Sequence, residues 1–136
     1  MSVDIVESQI YDRVRAEWTD GGRLQGVNHL LWRAATKHGT KEALISPERS
    51  LTYNQWWYYT LVVADWLAVR DVGQGSRVVL YIPNSIEFYC AYFAVWHLGG
   101  VVVPLNVYLH AREVASVLED AQPMVIITVM SLQEQL

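Results

Sequence analysis

Apolar residues recur along this chain in two periods, and the change from one to the other marks its elements. Ile10, Val14 and Trp18 lie at helical spacing with Asp12, Arg13, Arg15 and Glu17 on the other face, until Asp20-Gly21-Gly22 breaks the run. This predicts an amphipathic arm and linker over 1–27. From there the punctuation is regular. Asn28 reads as a helix N-cap, Val27 as a hydrophobic staple toward Trp32, and Gly39 as the stop. Thr52 and Gln55 have capping-box spacing for a second helix, with Leu51 placed to meet Trp56. Between the helices, 43–46 and 49–51 flank a turn containing Pro47 and suit a hairpin.

On a helical wheel of 53–70, Trp56, Trp57, Thr60, Leu61, Val63, Ala64, Leu67 and Ala68 form one broad face. The opposite face ought to be wet. It carries Tyr58, Tyr59, Val62, Trp66 and Val69 instead, so a second cover is expected there. Residues 77–82 form a short β-branched run, ended by Pro83, that suits a strand buried on both faces. Asn84 and Glu87 have capping-box spacing for a helix over 86–98, apolar nearly all round and closed by Gly99-Gly100. A second buried strand is expected at 101–103 with Leu105, a helix over 110–121 with Val114, Val117 and Leu118 inward, and a third strand at 125–129. Alternating strand and helix give an α/β fold, a partial parallel sheet with crossover helices. The expected division is the arm and linker at 1–27 and an incomplete α/β subdomain at 28–136.

Hydrophobic residues make up 52% of the 136 positions and charged residues 18%, below the usual quarter. Disorder is excluded as the main state, and the surface should be unusually apolar. Ten Lys and Arg against fourteen Asp and Glu leave a net charge of −4 without a basic stripe, which argues against nucleic acid as a partner. Cys90 is the single cysteine, and the N-terminus lacks the basic-then-apolar layout of a secretory signal, so a cytoplasmic location is expected. Residues 88–105 approach the length of a membrane span, but Gly99-Gly100 and Pro104 divide them into a helix and a strand. Membrane contact is at most peripheral on this reading.

Chemistry-bearing patterns are sparse. Gly73-Gln74-Gly75 precedes a strand rather than a helix, so it reads as a tight turn and not as a phosphate cradle. His29, His38, His97 and His110 have no metal-ligand spacing, and His97 reads as a structural residue in a last helical turn. Cys90 has neighbours that argue for burial. No GxSxG elbow is present, and no carboxylate pair flanks an evident cleft.

Four segments occur in a recognisable order: Leu51-Thr52-Tyr53 opening a helix, Gly75-Ser76-Arg77-Val78 entering a strand, Ile82-Pro83-Asn84-Ser85 entering an apolar helix, and Leu98-Gly99-Gly100-Val101-Val102-Val103-Pro104-Leu105-Asn106. Together they resemble the N-terminal portion of the AMP-forming acyl-CoA synthetases, in the adenylate-forming superfamily, over about 28–129. Ser76 departs from the Asp common in that turn. The resemblance implies the N-terminal part of the large domain of an enzyme that joins a carboxylate, a fatty or other apolar acid, to AMP and then to CoA, with ATP and magnesium. The family's phosphate loop, its aromatic-Gly-x-Thr-Glu segment, its ribose-binding Asp and its mobile-domain lysine are not found among the 136 residues. No catalytic residue and no cofactor is therefore assigned to this chain, and alone it is expected to be inactive.

By the same resemblance, Pro104, Leu105 and Asn106 lie near the channel for the CoA pantetheine arm. A strand-ending proline and a turn asparagine account for the same letters structurally. The expected partner is the remainder of a synthetase or a protein covering the open sheet edge, with self-association a further route. The competing reading is a short non-catalytic module that docks on a full-length synthetase or another protein.

Overall fold

The computed structural model describes residues 26–136; the expected arm lies in the segment outside them. Helix α1 is Asn28–His38, followed by β1 (Glu42–Ile45), β2 (Ser50–Thr52), α2 (Tyr53–Ala68), β3 (Arg77–Tyr81), α3 (Ile86–His97), β4 (Val101–Pro104), α4 (Ala111–Ala121) and β5 (Val125–Thr128). A 3-10 helix, Met130–Gln135, comes last. The hairpin is as expected: β1 and β2 pair antiparallel, with Leu44 opposite Leu51. So is the capping box of α2, where Thr52 Oγ1 accepts from Gln55 N at 3.3 Å and Gln55 Oε1 accepts from Thr52 N at 2.9 Å.

Two expected caps are corrected. Asn28 is helical rather than capping; Val27 holds the cap position without a side-chain bond. His29 N and Leu30 N donate to the carbonyls of Gly26 and Val27, so this turn closes through its own backbone. That frees Asn28 to turn inward, where Nδ2 lies 3.4 Å from His97 Nδ1. At α3 the cap is Ser85, not Asn84. Ser85 has the extended backbone a cap requires, and its Oγ accepts from Phe88 N at 3.2 Å. Glu87 then falls one position short of the capping-box site and pairs with Arg49 of the hairpin.

The parallel sheet has the order β4-β3-β5, with β3 in the centre. From β3 the chain passes through α3 to one side, then returns past β3 through α4 to the other. Crossovers of a single hand that reverse direction must lie on opposite faces of the sheet. The packing agrees. Val78 and Leu80 face Ala64 and Leu67 of α2 and Ala91 and Ala94 of α3, whereas Val79 and Tyr81 face Val114 of α4. All four central residues are fully buried, which is why this stretch reads as a continuous apolar run.

Glycines close α3. Gly99 N donates to Trp96 O and Gly100 N to Val95 O, a Schellman arrangement with Gly99 at φ 73°. Gly75, at φ 77°, confirms the tight turn before β3, and its N–H donates to Gly99 O at 2.9 Å. On α2 the inner face is narrower than the wheel implies: Trp57, Thr60, Leu61, Ala64 and Leu67 are buried, Trp56 and Val63 half-buried, and Ala68 exposed. The outer residues Tyr59, Val62, Trp66 and Val69 are exposed, so the described residues do not supply their cover.

Candidate functional site

Where the winding direction of an open α/β sheet reverses, the loops leaving two adjacent strands part to opposite faces and open a crevice at the strands' C-terminal ends. Here those strands are β3 and β4. The crevice is a cavity of about 470 Å³, within the range of small-molecule sites. One wall is Ile82, Pro83 and Asn84, with Phe88 from the first turn of α3; the other is Pro104, Leu105 and Asn106, continuing to Val107 and Tyr108.

All three residues singled out from sequence line this cavity, each held by a specific contact. Pro104 is the last residue of β4, opposite Leu80. Leu105 is buried; its N–H donates to Leu80 O at 2.9 Å, and its side chain packs beside Tyr81 and Val114. Asn106 is exposed and shapes the turn: Oδ1 accepts from Tyr108 N at 3.0 Å, and its carbonyl accepts from Leu109 N at 3.1 Å. The turn role expected of asparagine is therefore real, and it engages the side-chain oxygen.

Ile82, Pro83 and Asn84 were legible as a strand end and a helix entry, not as a site wall. Their approach to Pro104–Asn106 follows from the strand order, for which a single sequence carries no local signal.

No charged side chain lines the crevice, so it offers no ion pair to a phosphate. Its lining sets the apolar side chains of Ile82, Phe88 and Leu105 among a larger share of polar surface, with the amides of Asn84 and Asn106, which suits an uncharged chain with hydrogen-bonding groups. Among the described residues no group of three His, Cys, Asp or Glu is placed to hold a metal ion. His97 is structural as expected, with its ring edge-on to Trp57 at 5.5 Å. Cys90 is buried, and that burial, with Glu87 adding to it, pushes its thiol up to about 12, far from a nucleophile's range. No helix of the described residues is long and apolar enough to cross a membrane.

Comparison with known proteins gives this geometry a family. Residues 31–136 match the AMP-binding enzymes. A long-chain-fatty-acid–CoA ligase of Mycobacterium tuberculosis is 33% identical over 106 residues, which are 76% of this chain and 21% of the ligase. A peroxisomal acetate/butyrate–CoA ligase of Arabidopsis thaliana is 36% identical over 99 residues, 71% of this chain and 17% of that one. Among solved structures, the inhibitor-bound N-terminal domain of FACL13 from Mycobacterium tuberculosis superposes with a TM-score of 0.79 at 31% identity, over 82% of this chain and 29% of that domain. The chain thus spans about a fifth of the length of the curated relatives it matches. Its sheet corresponds to the N-terminal part of acyl-CoA ligases, as the order of its sequence motifs implied, and the chain belongs to the family of AMP-binding enzymes.

Proposed function

We propose that this chain is the N-terminal part of an AMP-forming carboxylate–CoA ligase, and that the crevice between the ends of β3 and β4 borders the path of the CoA pantetheine arm. The observation that supports this is the position and chemistry of the cavity: it lies at the reversal point of the sheet and is lined without charge. Pantetheine is an uncharged chain of two amides joined by methylene groups, the kind of group such walls accommodate. Ile82, Phe88 and Leu105 would exclude water along it, and the NH₂ of Asn106 would donate to one of its carbonyls.

The reaction assigned to the complete ligase joins a carboxylate to AMP with release of pyrophosphate, and the CoA thiol then takes the acyl group. ATP with magnesium supplies the leaving group. This chain's part is to bind and orient CoA, and a fatty acid is the substrate class that the name of the mycobacterial relative favours. The lone buried Cys90 is compatible with the reducing, cytoplasmic compartment assigned to it.

The test is Asn106→Ala in the complete ligase. Loss of one hydrogen bond to an uncharged group is worth about 1 kcal/mol, so the KM for CoA should rise roughly fivefold, with kcat and the KM values for ATP and acid unchanged. An unchanged KM for CoA would remove this residue from the channel. A rise in all three constants together would assign it to the fold alone.

A further inference from the structure

A second groove, of about 450 Å³, lies where the start of α1 meets the end of α3. Gly26 and Val27 line it from the α1 side, Trp96 and Leu98 from the α3 side, and Gln74 from the turn before β3. Gln74 lies across Gly99, where a Cβ would strike its side chain. Val27 is 49% exposed, and Trp96 and Leu98 are half-buried, so the described residues leave this apolar surface partly open. The α1 side is held in place by backbone and side chain together. His29 N and Leu30 N donate to the carbonyls of Gly26 and Val27, and the amide of Asn28 meets the ring of His97 on α3.

We propose that this groove is the docking site of the chain's own N-terminal arm, with Ile10, Val14 and Trp18 laid against Val27, Trp96 and Leu98. Connectivity selects the occupant. Residues 1–25 precede the described part and join it at Gly26, which is itself a lining residue of the groove. Between Trp18 and that residue lie seven others, Thr19 to Gln25, which span at most about 25 Å, and Gly21-Gly22 lets the chain turn back on itself. The arm's own physics requires a surface. A helix of about ten residues is marginal in water, so an apolar stripe at positions 10, 14 and 18, about 12 Å long, forms stably only when something covers it. Docked this way, the stripe covers the open apolar residues of the groove, and Asp12, Arg13, Arg15 and Glu17 remain in water. The family match begins at residue 31, so the arm and the α1 side of the groove both lie outside it.

Maleimide labelling of the full-length protein tests this, because Cys90 is buried and stays silent near neutral pH. Gln74→Cys reports on the groove, with Val27→Cys as a second reporter in case the first fails to fold. Ile45→Cys, on the hairpin at 75% exposure, is the control. Trp18→Glu puts a charge into the stripe, and Val14→Asp repeats the change at a second position. With the arm unaltered, labelling in the groove waits on local opening, so either change should speed it at least about fivefold and leave the control rate alone. Unchanged rates at the reporter would overturn the proposal, and so would an acceleration shared by the control, which would show general loosening of the fold. Slow labelling that speeds up on dilution would overturn it by showing the arm of a second copy as the occupant. Protection that requires vesicles of anionic phospholipid would overturn it in favour of a membrane surface. The readout needs no substrate, so its outcome is independent of the KM for CoA that tests Asn106.

Discussion

Thr60 is fully buried on α2, and its Oγ1 has no hydrogen-bond partner among the described residues. A buried hydroxyl without a partner keeps its desolvation cost, about 1–3 kcal/mol, with nothing to offset it. Thr60→Val replaces the hydroxyl with a methyl group of similar shape, and it should raise stability by about 1 kcal/mol in a denaturation experiment. A loss of stability would mean that the hydroxyl is bonded, most simply by an internal water. The residue sits on the inner face that the helical wheel assigns to it. What the wheel does not contain is the neighbourhood, since α1 and α3 pack on α2 from distant parts of the sequence.

At the scale of elements, one exposed ion pair ties the hairpin to the sheet layer: Arg49, just before β2, meets Glu87 in the first turn of α3. The Glu87 carboxylate is held below its ordinary 4.5 chiefly by its own backbone N–H. Partial burial opposes this, while the Ser85 hydroxyl and the Arg49 charge add to the lowering. A carboxylate with a lowered folded-state pKa stabilises the fold fully above its unfolded value, and that contribution fades as pH falls through the folded value. Glu87→Gln should therefore cost no more than about 1 kcal/mol at neutral pH, because the pair is exposed. The gap from the parent should close as pH drops below 4.5. A gap that persists into strong acid would place the effect outside this ionisation. The helix itself was legible from sequence, but its cap was not: Asn84 and Ser85 are both good caps, and only the backbone conformation chose between them.

For the whole molecule, the decisive feature is what the described part brings together and what it leaves open. The crevice has a positioning role to offer but no nucleophile, and the one thiol is buried and protonated at neutral pH. Stabilising a transition state at phosphorus requires oriented positive charge, and the crevice lining has none. The 136-residue chain should therefore give no carboxylate-dependent pyrophosphate exchange, and measurable exchange by the purified chain would refute its assignment as a non-catalytic part. Its unpaired β5 edge and the apolar outer face of α2 also predict self-association when the chain is alone.

Local sequence determined the elements and their order. Hydrophobic period, cap residues and glycine stops act over a few positions, so they are readable from one chain: the hairpin around Pro47, the box at Thr52 and Gln55, and the closing pair Gly99-Gly100. Tertiary structure alone decided that β3 is central, that α3 and α4 cover opposite faces, and hence that Ile82–Asn84 and Pro104–Asn106 form two walls of one crevice. The reason is physical. Parallel strands pair through crossovers of many residues, and nothing within a strand of four or five residues records on which side of its neighbour it will lie.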